Sequence, residues 1–201
     1  MENLTYITGN YGKYLSVKEK FENENIMIDY YTCDLSEPEV NDISYISKVK
    51  AKEAYDILNK PVFVADSGFY INSYPNNPGY PGAFVKRSGV AKNTSKLLDD
   101  MKEVKDRSCY FLDCLTYFDG SEFYQFYGKS EGFLSYEEKG IDRINAKSNL
   151  WYVFIPKNHN KTLAEMTDDE RDNRHDDNTS ATDEFIKWYK ENIKGVCKIK
   201  R

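Results

Sequence analysis

The segment Pro61–Ala65, PVFVA, constrains the fold more than any other stretch of this chain. A nearly continuous apolar run of strand length has no polar face to offer water, so it must be covered on both sides. It runs into Asp66-Ser67-Gly68, a turn-like triplet that predicts the strand's end. The preceding segments alternate in type. Leu4–Thr8 is a short β-rich run that stops at Gly9-Asn10, after which Tyr14, Val17 and Phe21 recur at helical spacing. Ile26–Cys33 predicts a second strand. Asp42 predicts the cap of a helix whose one face carries Ile46, Lys50, Ala54 and Ile57. Strand, helix, strand, helix, strand predicts a mixed α/β layer.

The second half changes character. Asn72–Ala83 is rich in Pro and Gly and reads as a loop. Val90–Met101 has helical spacing, while Cys109–Phe118 and Glu122–Gly128 read as strands joined at Asp119-Gly120, a hairpin signal. Glu131–Ser135 and Trp151–Ile155 are further strand candidates. The polar run Thr167–Asp183 reads as a solvated loop, and Ser180 as the cap of a helix lined by Phe185, Trp188, Tyr189 and Ile193.

With 201 residues the chain is read as one domain, residues 1–201, able to bury its own core. A net charge of -5 gives no broad attraction to nucleic acid or to anionic membrane, so neither is expected as a partner. No apolar run approaches 18 residues, which argues against a membrane helix. Cys33, Cys109, Cys114 and Cys197 form no close pair, and only His159 and His175 are present, so free thiols and no zinc site are expected. Without a secretory-type leader, a cytoplasmic protein is the expectation.

Three places have the residue types for phosphate chemistry. Thr8-Gly9-Asn10 lies between a strand and a helix, where free N–H groups favour an anion, and Lys13 in the first turn adds a charge. Asp66 at a strand end and Glu37 after Asp34-Leu35-Ser36 offer two carboxylates for Mg2+, which is commonly held by few carboxylates together with substrate phosphate oxygens. In Pro81–Arg87 a turn delivers Phe84 and then the cations Lys86 and Arg87, and Arg107 before a strand is a further phosphate candidate. The same residues also suit ordinary roles: a strand-to-helix turn, surface carboxylates, a loop with a buried Phe.

In order and spacing these pieces resemble the inosine triphosphate pyrophosphatase, or Ham1, family. The resemblance rests on Thr8-Gly9-Asn10 with Lys13, Asp34–Glu37, Ala65–Gly68, Pro81–Lys86, Arg107, Phe126 with Gly128 and Gly132, Phe154 with Pro156, and Lys161–Met166. It covers roughly residues 4–190. It implies an elongated α/β fold with two lobes around a central mixed sheet and a cleft. It implies Mg2+-dependent hydrolysis of a nucleoside triphosphate to the monophosphate and pyrophosphate, and a homodimer. Carried over by position, Glu37 and Asp66 serve the metal and the attacking water. Thr8, Gly9, Asn10, Lys13 and Lys86 hold the triphosphate, with Ser67, Gly68, Phe84 and Arg107 as further substrate contacts.

The chain departs from the family in its base-reading half. Ser148–Tyr152 replaces Phe-Gly-[Tyr/Trp]-Asp-Pro, and His175-Asp176-Asp177 falls where the family has Ser-His-Arg. An ionised Asp cannot donate a hydrogen bond. Ala65 replaces the first acid of the family's acidic pair. Trp151, Arg174 and His175 are the residues left to form a different base surface. The split implies a pyrophosphatase of altered or relaxed base choice; the rival reading is a nucleotide-binding protein that has lost turnover.

Overall fold

The computed structural model describes residues 4–140, 148–172, 174 and 180–194. Among these the elements run β1 (Leu4–Ile7), α1 (Tyr11–Asn23), β2 (Ile28–Tyr31), α2 (Ile43–Leu58), β3 (Val62–Ile71), β4 (Pro81–Gly82), α3 (Val85–Ser88), α4 (Thr94–Asp100), β5 (Ser108–Phe118), β6 (Phe123–Leu134), β7 (Phe154–Pro156), α5 (Asp168–Asp172) and α6 (Ala181–Tyr189). The strands form a mixed sheet in the order β2-β1-β3-β5-β6-β7, with β4 added on β3. β1 pairs parallel with β2 and with β3, while β3–β4 and β6–β7 are antiparallel. The expected mixed α/β fold is therefore present.

The chain divides into two compact units. The first takes the described residues up to Asp66, Asp113–Gly128 and those from Ser180 onward. Its strands alternate between two cores, as the apolar run required. Tyr6 and Phe63 stack at 4.6 Å on the side covered by α1 and α6, with Phe21, Leu115, Tyr117 and Phe185. Ile7, Val62, Val64 and Phe118 face Ala51 and Ala54 of α2 on the other. Asp42 caps α2 by accepting from the Ser44 and Tyr45 amides. Ile57, expected on the buried face of α2, is exposed instead.

The second unit takes Ser67–Leu112 and the described part of 129–178. Its core joins Phe69, Ile71, Leu97, Met101, Leu134, Leu150 and Phe154.

Several boundaries differ from the sequence reading. β3 does not stop at Ala65 but continues through Asp66-Ser67-Gly68 to Ile71. Phe69 and Ile71 are fully buried, and Phe69 and Tyr70 pair with Gly82 and Pro81, so pairing overrides the local turn signal. Glu122–Gly128 and Glu131–Ser135 belong to one long strand, β6. The helix expected over Val90–Met101 is broken at Asn93, whose side chain accepts from the Lys96 amide and starts α4 afresh. Trp151–Ile155 is a 3-10 turn, Asn149–Tyr152, followed by β7. The polar run opens with α5, boxed by reciprocal bonds: Thr167 N–H to Glu170 Oε2 and Glu170 N–H to Thr167 Oγ1.

Candidate active site

In the first unit, loops leave the carboxyl ends of the parallel strands β2 and β1, the edge at which sheets of this kind bind ligands, while β3 runs on past that edge. The offset that pairs Thr5 with Val62 and Tyr6 with Phe63 carries Asp66 past the end of β1 at Ile7. Asp66 lies on the sheet face of Val62 and Val64, the face covered by α2. There Lys50 meets it: Nζ is 2.5 Å from Asp66 Oδ1 and 3.2 Å from Glu37 Oε1. The side chains of Lys50 and Asp66 are each 16% exposed and that of Glu37 40%. Burial alone would pull the Lys50 ammonium below the ordinary lysine range, but the charges of Asp66 and then Glu37 outweigh it and hold it above that range.

α2 also explains why Glu37 is here. Glu53, three residues beyond Lys50, accepts from the Ser36 amide at 2.7 Å and from the Ser36 hydroxyl, fixing the loop beside Glu37. In the sequence Lys50 shares a helix face with Ile46 and Ala54, and that spacing by itself assigns it no role. Its signal was present, since a lysine on a core-facing stripe calls for a buried partner.

Asp66 Oδ2 is buried and accepts no hydrogen bond from the described residues. A carboxylate oxygen in that condition has acceptor capacity for an ion or a water. Among the described residues no group of three or more acidic, His or Cys side chains converges. What the chain supplies is a pair of carboxylates, one with an open oxygen. That donor set fits Mg2+ shared with phosphate oxygens, and does not fit a metal held by protein alone.

The turn after β1 is built as expected, with one correction. Thr8 N–H donates to Tyr31 O at 3.2 Å, and Thr8 Oγ1 accepts from the Asn10 amide at 3.2 Å. Asn10 caps α1, its Oδ1 accepting from the Lys13 amide at 3.0 Å. Gly9 is not at positive φ, so the turn itself does not demand glycine. A Cβ at Gly9 would meet nothing within 4 Å, so glycine here leaves an exposed main chain at the amino end of a 13-residue helix.

The predicted residues of the second unit have mixed fates. Ser67 and Gly68 continue β3; a Cβ on Gly68 would stand 2.7 Å from the Tyr70 ring and 3.0 Å from Gly82 O, so this glycine makes room for β4. Phe84 precedes α3, half-buried, with the Arg87 guanidinium 5.5 Å from its ring centre, and Lys86 is exposed on α3.

Arg107 corrects the sequence expectation. It is 5% exposed and donates to the main-chain carbonyls of Leu134 at 2.8 Å, Met101 at 2.7 Å and Ser135 at 2.6 Å. Tyr136 covers its guanidinium at 4.3 Å. Three of its five N–H donors clamp main chain.

Trp151 is half-buried against the second unit's core, with the Arg171 guanidinium 5.0 Å from its ring. Arg174 is half-buried and donates from Nε to Arg171 O at 3.1 Å. His175 lies outside the described residues.

Comparison with known proteins agrees with this architecture. A dITP/XTP pyrophosphatase of Saccharolobus solfataricus is 33% identical over 182 residues, 90% of this chain and 91% of that protein. A dITP/XTP pyrophosphatase of Thermococcus kodakarensis is 29% identical over 95% of this chain and 99% of its own length. The structure of a HAM1 protein from Coxiella burnetii superposes with a TM-score of 0.79 at 20% identity, covering 95% of this chain and 100% of that one. At that identity the superposition speaks for the fold. The Ham1 family model matches residues 4–188, and by this match together with the relatives' near full-length similarity the chain belongs to the Ham1 family.

Proposed function

We propose that this chain is a Mg2+-dependent nucleoside triphosphate pyrophosphatase, releasing a nucleoside monophosphate and pyrophosphate. The observation that carries the reading is the Glu37–Lys50–Asp66 constellation past the carboxyl end of β1, beside the capped turn Thr8–Lys13. Hydrolysis of a triphosphate requires its negative charge to be offset while water is oriented for attack.

The turn offers main-chain N–H groups at Gly9 and the first turn of α1, with Lys13 as a point charge for the phosphates. Lys86 and Phe84 are assigned to the substrate on family resemblance. Arg107 is left out of that set, because its donors face carbonyls. Glu37 and Asp66 would hold Mg2+, which when bound supplies positive charge to the phosphate oxygens. Lys50 fixes Asp66 through Oδ1 and leaves Oδ2 to orient a water. The resemblance implies a family that commonly forms homodimers, and we extend that to this chain.

The base preference is read as altered. The relatives carry names for dITP and XTP, while here Trp151 packs half-buried against the core beside Arg171 and Ser148 accepts from the Leu150 amide. The experiment is pyrophosphate release with Mg2+ across ITP, XTP, dITP, the standard NTPs and dNTPs, and modified pyrimidine triphosphates, with Asp66→Asn as control. Release that disappears in the control supports the reading, and its substrate pattern defines the base. Silence across the panel with nucleotide still bound would identify a binding protein instead.

A further inference from the structure

On the α2-facing side of the first unit's sheet, the contact changes from apolar to polar along the helix. Ala51 and Ala54 meet Val62, Val64 and Phe118. Toward the start of α2, Ser44 and Ser47 instead meet Cys114 and Thr116 of β5 and Gln125 and Tyr127 of β6. Thr116 Oγ1 donates to Ser47 Oγ at 2.7 Å, and Ser47 Oγ donates to Cys114 O at 3.4 Å. The Gln125 amide donates to Ser44 O and to Thr116 Oγ1, each at 3.0 Å, and Gln125 Oε1 accepts from Ser44 Oγ at 2.8 Å. Tyr127 OH reaches Ser44 Oγ at 3.1 Å. Ser47, Cys114 and Thr116 have no exposed surface.

Alanine or valine would pack such a helix–sheet contact without the desolvation that buried hydroxyls cost. What hydroxyls and an amide add is direction. Apolar surfaces tolerate sliding, whereas a chain of donors and acceptors from two strands onto two successive turns of α2 admits one axial position of the helix. Lys50 is the next turn on from Ser47 on the same face, and Nζ must bridge Asp66 and Glu37 from there.

We infer that the Ser47–Thr116–Gln125 network is a positioning device for the pyrophosphatase site, setting α2 so that Lys50 lands on Asp66. The inference rests on the function proposed above. Thr116 and Gln125 touch no reacting group; they act through Lys50.

The test compares Thr116→Val, which keeps the shape and removes the hydroxyl, with Thr116→Ser, which keeps the hydroxyl. Phe118→Leu, at the apolar end of the same contact, controls for lost stability. With Mg2+ and the best triphosphate of the panel, Thr116→Val lowers kcat about tenfold and leaves KM within about twofold, since a small misplacement acts on the chemical step. Thr116→Ser restores the rate, and Phe118→Leu lowers the melting temperature without lowering kcat. In a Lys50→Met background, followed at high enzyme concentration, Thr116→Val has no additional effect. Gln125→Met provides the same comparison if Thr116→Val does not fold.

Unchanged kcat in the network variants overturns the inference, as does a loss shared equally by Phe118→Leu or one that persists in full without Lys50. An Asp66→Asn protein with undiminished rate would overturn the proposed function instead, so the two failures are distinguishable.

Discussion

Lys50 Nζ lies 2.5 Å from Asp66 Oδ1, while the other oxygen of the same carboxylate is buried and accepts nothing from the described residues. Removing the lysine leaves a shielded carboxylate with no cation. Lys50→Met is expected to lower stability by about 2 kcal/mol, below the full cost for a completely buried pair because some solvent reaches both groups. It is also expected to lower kcat about a hundredfold. Denaturant titration and steady-state rates check the two effects.

The same pair predicts a pH dependence. Burial lowers Lys50, but Asp66 and Glu37 hold it above the ordinary value of 10.5. A raised folded-state value means the stabilisation is complete below 10.5 and is lost as pH rises through the folded value. In metal-free protein the stability gap between native and Lys50→Met is therefore expected to be constant at neutral pH and to close on the alkaline side. A gap that instead widens above that pH would contradict the sign.

Lys13 and Lys86 are assigned to the substrate, so their loss should be read in binding rather than folding. Lys13→Ala and Lys86→Ala are each expected to raise KM for the triphosphate about tenfold, with melting temperature within ~2 °C of native. The KM effect should shrink as salt is added, because added salt screens the charge that was removed. A melting shift without a KM change would assign these lysines to structure.

Arg107 should behave in the opposite way. Its three bonds to Leu134, Met101 and Ser135 carbonyls tie main chain of the second unit together. Arg107→Met leaves buried carbonyls without donors and is expected to cost about 3 kcal/mol with no selective rise in KM. Arg107→Lys should rescue little, since an ammonium cannot span the planar fork. Urea unfolding of both variants is the measurement.

Gly132 and Gly9 make a contrasting pair. A Cβ at Gly132 would run into the Ile155 carbonyl and stand 2.7 Å from the Phe154 ring, against the strand that pairs with it. Gly132→Ala is expected to cost about 2–3 kcal/mol by forcing β7 away. Gly9→Ala meets open space and should leave stability unchanged while weakening triphosphate binding, because its methyl stands where the main chain is accessible. Thermal melts and KM values separate the two.

How much was legible in the sequence can be judged at particular residues. The apolar run Val62–Val64 required cover on both faces, and it has it, from α1 and α6 on one side and α2 on the other. Asp42 and Ser180 read as caps in the sequence and are caps in the structure, because a side-chain oxygen there reaches an amide of the next turn, a local matter that sequence records; Asn10 caps α1 in the same way. The order of the phosphate-type residues, Thr8 to Lys13, Glu37, Asp66 and Lys86, likewise lies along the chain and identified the family.

Long-range pairing decided the rest. Asp66-Ser67-Gly68 has the local chemistry of a turn, yet β4 and the buried Phe69 and Ile71 extend the strand through it. Arg107 looks like any arginine before a strand; only the carbonyls of residues 101, 134 and 135 around it show that its charge is spent on main chain. Lys50 looks like one more residue on a helix face until folding brings it from α2 onto a carboxylate sixteen residues away in β3. Caps depend on neighbours within a few residues and motif order on the chain itself, so the sequence alone determined them. Which cation meets which carboxylate depends on the packing of α2 against the sheet, and that is settled only when the chain has folded.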